Sequence, residues 1–239
     1  MSTTPKFAGR SISAFFPLYN EAENVEELTR RALAVLPTLV EDFEVILVND
    51  GSRDRTGELA DAIAAREPRV KVVHHSVNRG YGAALKSGFA AATRELVFFT
   101  DGDLQFDLAE LELCLRAFEG CDIVAGYRLQ RQDPLQRKLN AALWNALVRL
   151  TLDLHIRDVN CAFKLFRRST VEALGPLEAD GAMLSAELMT RLQRSGARLR
   201  DIGVHHYPRP RGQQTGAKAG VILKAFRELL ALRKKLAGV

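Results

Sequence analysis

Leu96-Val97-Phe98-Phe99-Thr100-Asp101-Gly102-Asp103-Leu104-Gln105 is the stretch from which the fold can be read. It is a strand-like apolar run that ends in two carboxylates separated by one small residue. Carboxylates so placed form a ready clamp for a hard divalent cation. Mg²⁺ takes only one or two carboxylates plus substrate phosphates, so a clamp this sparse suits a metal–diphosphate site. A bare Asp-x-Asp is more often a solvated turn, but this one has company. Val48-Asn49-Asp50-Gly51-Ser52 ends an earlier apolar run, and Phe16-Pro17-Leu18-Tyr19-Asn20-Glu21 a still earlier one. Three strands ending in polar, turn-forming residues predict one functional edge, because open α/β sheets bind ligands beyond the carboxyl ends of their strands.

Outward from that edge, residues 11–17, 43–50, 70–76, 96–101 and 122–126 read as strands. Residues 23–36, 56–66, 81–93 and 108–118 read as the amphipathic helices between them. The alternation predicts an α/β fold, a Rossmann-like, mostly parallel sheet flanked by helices. From Pro134 the pattern changes: Leu139, Leu143, Ala146, Leu147 and Leu150 recur at helical spacing with Trp144 beside them, a long amphipathic helix. A strand (161–167), a helix (183–194) and a strand (198–207) follow, and then the Pro/Gly-rich loop 207–212. The division expected is a catalytic unit over 1–216 and a basic amphipathic helix over 217–239. In that tail Ile222, Phe226, Leu229, Leu230 and Leu236 share one face. Lys224, Arg227, Lys234 and Lys235 lie largely opposite, with Arg233 inside the apolar arc. Two readings stand for it: an interfacial membrane anchor, or a surface helix packed on the domain or on another subunit.

The 239 residues are enough for one large domain. With 47% hydrophobic and 26% charged residues the chain belongs among soluble globular proteins rather than disordered ones. The 34 Lys+Arg against 29 Asp+Glu give +5, and the basic residues cluster at 128–138, 191–211 and 218–235. Such clusters suit a phosphate-bearing partner or an anionic membrane surface. Nucleic acid is disfavoured, because no aromatic platform is interleaved with them. Cys114, Cys121 and Cys161 are odd in number and lack metal-ligand spacing, which implies a reducing compartment. His74-His75 and His205-His206 sit in β-like runs where neighbours face opposite ways, so neither pair reads as a metal site. No secretory apolar region opens the chain, and no run of about 18 apolar residues predicts a membrane span. Gly80-Tyr81-Gly82 lacks the register of a dinucleotide fingerprint. It reads instead as a helix start close to a ligand phosphate, with Arg79 or Lys86 nearby, or as a plain helix start.

Taken in order, seven segments resemble the family 2 glycosyltransferases of the GT-A fold. They are Pro17-Leu18-Tyr19-Asn20-Glu21, Asn49-Asp50-Gly51-Ser52, Asn78-Arg79-Gly80-Tyr81-Gly82-Ala83, Asp101-Gly102-Asp103-Leu104-Gln105, Gly126-Tyr127-Arg128, Asp158 with Phe163-Lys164, and Arg209 with Gly212. Within the family they resemble the polyprenyl-phosphate sugar synthases of the dolichol-phosphate mannosyltransferase type. The resemblance runs from Ile12 to Gly216. It implies that Pro17, Tyr19 and Glu21 line a nucleotide pocket with Lys86 and Gly102 in the donor site, and that Asp50 accepts from a base N–H. Asp101, Asp103 and Gln105 would hold Mg²⁺ or Mn²⁺ against the donor diphosphate.

On the acceptor side the resemblance implies a lipid monophosphate that attacks the sugar C1 with inversion. A phosphate with a second pKa near ~6 is already largely dianionic at neutral pH. It needs cations to place it more than it needs a base, and Arg128, Arg137 and Arg209 are the candidates. Asp158 is either a base or an organiser of the acceptor site. The chain departs from many relatives in having no transmembrane helices, and where some have Ser after the Arg…Gly motif it reads Gly212-Gln213-Gln214-Thr215-Gly216. The expectation is therefore a metal-dependent inverting enzyme, peripheral on the cytoplasmic membrane face, that moves a hexose from a UDP- or GDP-sugar to a polyprenyl phosphate. A homo-oligomer stays open. A soluble or polysaccharide hydroxyl acceptor is the alternative, for which Asp158 would be an indispensable base. A non-catalytic nucleotide-sugar-binding module is the alternative of another class.

Overall fold

Each apolar run of the first half forms a strand, and each amphipathic stretch a helix beside it. The computed structural model describes residues 5–129, 135–179, 181, 183–210 and 227–235. In it β1 (Ser11–Leu18), β2 (Asp42–Asn49), β3 (Val70–His74) and β4 (Leu96–Phe99) alternate with α1 (Val25–Leu39), α2 (Thr56–Ala64) and α3 (Tyr81–Ala91). A 3-10 turn (Leu108–Glu110) and α4 (Leu111–Ala117) lead into β5 (Ile123–Leu129). Then come α5 (Leu135–Leu152), β6 (Lys164–Arg167), α6 (Arg168–Glu172), α7 (Met183–Arg194) and β7 (Leu199–His205).

The strands form one seven-stranded sheet in the order β3-β2-β1-β4-β6-β5-β7. β1 pairs in parallel with β2 and β4, β2 with β3, and β5 with β7. β6 is antiparallel to both neighbours, β4 and β5. The parallel strands therefore all end at one edge, while β6 begins there: Lys164 lies opposite Phe99 in β4 and Ala125 in β5.

All four residues of β4 are buried, so both its faces are covered, as a central strand of such a sheet requires. Phe15, Phe89, Phe99 and Phe166 form a chain of ring contacts on one side, with centroids 5.1 to 6.0 Å apart. Phe98 meets Phe163 edge-on at 4.8 Å. Removing one such ring, as in Phe99→Ala, costs about 3–5 kcal/mol. α3 approaches β1 closely because Gly88 has no side chain; a Cβ there would stand 2.3 Å from the Phe15 ring.

Residues 227–235 are helical and pack on this body: Leu229 and Leu232 join the core, and Lys235 pairs with Glu178 at 2.5 Å. The expected apolar face is corrected here. Leu232 turns inward in place of Leu230, which is 57% exposed. The other expected members of that face, Ile222, Phe226 and Leu236, lie outside the described residues, as does Lys224. Among the described residues no helix is long and apolar enough to cross a membrane.

Candidate active site

The loops at the carboxyl edge of the sheet are tied to one another by side chains. Asn20 N–H donates to Ser52 Oγ (3.0 Å), Glu21 N–H to Thr56 Oγ1 (2.8 Å) and Ala22 N–H to Asp54 Oδ2 (3.1 Å). Arg53 N–H returns a bond to Asn20 Oδ1 at 2.9 Å. These bonds clamp the loop after β1 onto the loop after β2. Asn20 adopts φ 56, a left-handed conformation that Asn tolerates better than most residues. Buried Asp50 extends the lacing to the third loop. Its oxygens accept from the Arg79 and Gly80 N–H groups, each at 2.8 Å, and meet His75 Nδ1 at 2.6 Å. Gly51 permits that approach, since a Cβ there would fall 2.2 Å from the Val77 carbonyl carbon.

The loop after β4 carries the acid pair. Gly102 lies against the end of β1, where a Cβ would stand 2.3 Å from Leu18 Cδ2. Tyr81, the first residue of α3, donates its hydroxyl to Asp101 Oδ1 at 2.9 Å. Leu104 is held at φ 61, a strained conformation of the kind that concentrates at functional sites. Gln105 stitches this loop to the segment after β7. Its Nε2 donates to the Tyr207 carbonyl (3.0 Å), and Tyr207 N–H donates to the Gln105 carbonyl (2.8 Å). That stitch delivers Arg209, whose Nη2 pairs closely with Glu21 Oε1 and whose Nη1 lies 3.9 Å from Asp103 Oδ2.

Burial, and next the Asp103 charge, push Asp101 up to about 7 against the opposing Tyr81 bond. Burial also raises Asp103, opposed by the Gln105 N–H and by Arg209. Two carboxylates that resist ionising together are what a divalent cation relieves. No group of three or more His, Cys, Asp or Glu side chains is placed to hold a metal among the described residues. The donor set expected from the sequence, two carboxylates and the Gln105 amide oxygen, stays below that number of acidic or thiolate ligands. These are hard ligands short of a full shell, which suits Mg²⁺ or Mn²⁺ completed by phosphate oxygens. Beside the pair, buried Thr100 Oγ1 makes no hydrogen bond.

The second half supplies the other flank. Arg128, near the end of β5, grips Asp158 through both ends of its fork: Nε to Oδ2 at 2.7 Å and Nη2 to Oδ1 at 2.9 Å. Asn145 Nδ2 (3.3 Å) and Asn160 N–H (3.2 Å) also donate to Asp158 Oδ1. Burial alone would raise this carboxyl, but the Arg128 fork outweighs it and holds Asp158 below the usual carboxylate range. Asp158 is therefore ionised at neutral pH and a weak proton acceptor. Lys164 is fully buried, and its Nζ donates to the carbonyls of Val159 (3.1 Å) and Cys161.

The structure thus unites Glu21, Asp101, Asp103, Gln105 and Arg209 around one point, with Arg128 and Asp158 joined on the other flank. Pro17 and Tyr19 are half-buried at the end of β1. Asp50, expected to accept from a base, already receives the donors that fix the start of α3. Lys86 lies in the second turn of α3 and donates to the Glu178 carbonyl at 3.3 Å. The Arg137 side chain lies outside the described residues. Sequence reasoning missed roles for Tyr81, His75, Asn145 and Lys164. Tyr81 and Lys164 did leave a signal: both lie in segments that carry the resemblance, and Lys164 is a lone cation inside the run Cys161-Ala162-Phe163-Lys164-Leu165-Phe166. The histidines divide as expected, His74 meeting Asp61 and His75 meeting Asp50.

A family model described as glycosyl transferase family 2 matches residues 13–175. The chain is 39% identical over 166 residues to an undecaprenyl-phosphate 4-deoxy-4-formamido-L-arabinose transferase from Pseudomonas aeruginosa, a match covering 68% of this chain and 49% of that protein. It is 34% identical over 211 residues to the glycosyltransferase AglD of Haloferax volcanii, covering 84% of this chain and 34% of that protein. The chain spans half or less of the length of these curated relatives. Among solved structures it is similar to glucosyl-3-phosphoglycerate synthase from Mycobacterium tuberculosis in complex with Mn²⁺, UDP and glucosyl-3-phosphoglycerate. There the TM-score is 0.71 at 20% identity, over 95% of this chain and 81% of that one. A mannosyltransferase, PcManGT, from Pyrobaculum calidifontis in complex with GDP-Man and Mn²⁺ superposes with TM-score 0.67 at 20% identity, over 98% and 65%. At that identity the likeness establishes the GT-A fold and nothing finer.

Proposed function

The chain belongs to glycosyl transferase family 2, and from that premise we propose that it moves a hexose, with inversion at C1, from a UDP- or GDP-sugar to a polyprenyl phosphate at the cytoplasmic face of a membrane. The observation that carries this reading is the meeting of two opposite electrostatic settings on one sheet edge. Asp101 and Asp103 have their charge opposed by burial, while Arg128 and Arg209 lie close by, each bonded to a carboxylate it can exchange for a phosphate. Asp101, Asp103 and the Gln105 amide oxygen would hold Mg²⁺ or Mn²⁺, which when bound neutralises charge building on the departing nucleoside diphosphate. Pro17, Tyr19 and Glu21 border the nucleotide, and Asp50 holds the loop that faces it.

Arg128, Arg209 and, from α5, Arg137 would place the acceptor phosphate, since a guanidinium fork matches its paired oxygens. A phosphate dianion needs no base, so Asp158 orients Arg128 rather than taking a proton. A hydroxyl acceptor does need a base, and a carboxyl held below its usual range serves that poorly. The name of the Pseudomonas relative supports a polyprenyl phosphate, and the UDP and GDP-Man in the two similar structures support both nucleotides equally. Residues 1–216 form the catalytic unit on this reading. Of the tail expected over 217–239, the described residues 227–235 rest on it with Arg227, Arg233 and Lys234 exposed, cations suited to anionic lipid.

The test is a thermal-shift screen of UDP- and GDP-sugars with Mn²⁺, followed by transfer to a short-chain polyprenyl phosphate. A donor at 100-fold its dissociation constant stabilises by about 2.7 kcal/mol. A screen in which no nucleotide sugar shifts the transition sinks the donor assignment, and transfer to hydroxyl acceptors alone sinks the lipid one.

A further inference from the structure

We propose that Lys164 is a positioning residue for the transfer step: its buried ammonium fixes the loop that carries Asp158, so that the Arg128–Asp158 pair meets the acceptor in one orientation. The inference rests on the reading of that pair as the acceptor side of the site.

The topology puts Lys164 there. β6 runs against its neighbours, so its first residue emerges where β4 and β5 end, in register with Phe99 and Ala125. The side chain is 1% exposed, and Nζ lies 5.8 Å from the centroid of the Phe99 ring. Among the described residues no carboxylate comes within ion-pair distance of it. Its hydrogen bonds go instead to two main-chain carbonyls, of Val159 and Cys161. Burial lowers the tendency of this lysine to hold its proton. Burying an ammonium without a paired carboxylate is costly, and a methionine of similar length would fill the same space without that cost.

The bonded carbonyls show what the ammonium does. They lie one and three residues beyond Asp158, in a turn closed by the Cys161 N–H bond to the Asp158 carbonyl at 3.3 Å and the Asn160 N–H bond to Asp158 Oδ1 at 3.2 Å. An ammonium offers three donors in tetrahedral array, so it can hold two non-adjacent carbonyls at once and prevent either peptide from rotating. Rotation of either would swing Asp158 out of the Arg128 fork. The same charge acts through space on Asp101 and on Asp158, so it stands between the donor acids and the acceptor pair.

The test uses the full chain with Lys164→Met, read out in three ways. Acceptor kcat/KM is expected to fall about 10- to 100-fold, the size of loss that a misplacement of about 1 Å produces. The Kd for UDP or GDP with Mn²⁺ should rise no more than about twofold, since the donor loops have their own lacing and the Lys164 charge that acts on Asp101 competes with a metal there rather than supporting it. Amide hydrogen exchange at Asn160 and Cys161 should rise about tenfold, with Leu96 to Phe99 unchanged. Unchanged acceptor kinetics, or a loss shared equally with donor binding, overturns the proposal. Should Lys164→Met not fold, Lys164→Gln, which keeps a donor for one carbonyl, is expected to show the same split at smaller size. If the wild-type chain transfers to no polyprenyl phosphate, the acceptor reading fails by itself. Hydrogen exchange then decides the fixing of the loop, and unchanged exchange overturns it.

Discussion

The loops that end β1 to β4 and the segments around β5 to β7 treat charge in opposite ways. On the first side Asp101 and Asp103 face each other across one residue, and packing raises both. On the second side the charges are already matched: Arg128 forks onto Asp158, and Lys164 is capped by carbonyls. An uncompensated acid pair waits for a cation to arrive with its ligand. A compensated Arg–Asp pair must share or exchange a partner when an anionic ligand comes. Arg209 belongs to both, a cation of the second half lent to Glu21 and Asp103 of the first.

The harshest test removes an acid. Asp103→Ala should lower kcat/KM by about 10³-fold or more, because one of two carboxylate ligands is lost, while the melting temperature changes little. Calorimetry with UDP and GDP, with and without Mn²⁺, checks the cause; equal affinity in EDTA would break the contrast at its donor end. Next in size, Arg128→Lys keeps the charge but loses the planar fork, and should cost acceptor kcat/KM about 10- to 100-fold with donor binding nearly unchanged. Asp158→Asn sharpens that result. An orienting carboxylate loses rate at every pH, whereas a base loses the rising limb of the pH profile, and the first outcome is expected here.

The arginine shared by the two sides gives a smaller effect in two directions. Arg209→Met should raise the acceptor KM about tenfold and tighten Mn²⁺ binding a few-fold, as read by electron paramagnetic resonance, because a competing cation has left Asp103. Weaker Mn²⁺ binding would show that Arg209 supports the acid pair rather than competing for it. Smallest is the pH dependence of the metal-free chain. Asp101 has its folded pKa raised from 3.8 to about 7. Its contribution to stability is therefore fully present below 3.8 and is lost as pH rises through 7. Glu44, buried yet held at about 2 by Lys71, Ser13 and Thr93, works the other way and only below 4.5. Chemical denaturation between pH 5 and pH 7.5 should thus show stability falling as pH rises, with a shallower fall in Asp101→Asn. Equal slopes would remove Asp101 as the cause.

The sheet was legible because its strands are apolar runs broken at regular intervals by amphipathic helices, and burial on both faces of β4 leaves that pattern no other use. The acid pair was legible as well, since Asp101 and Asp103 are neighbours whose proximity is set by the covalent chain. One expectation shifted in three dimensions. Leu232 replaced Leu230 on the packed face of the tail, because the body chooses which arc of a broadly apolar helix it covers.

What the chain determined by itself was everything that depends on short-range order: where strands end, which ends carry carboxylates, and which helix start carries glycine. What only the tertiary structure decided was which distant charges meet. Arg209 is 188 residues from Glu21 and Arg128 is 30 from Asp158, and nothing in local spacing predicts either pair. Those contacts follow from β6 entering the sheet antiparallel and from Gln105 stitching Tyr207 to the acid loop. Both are choices made by long-range packing and by the need of each buried polar group for a partner.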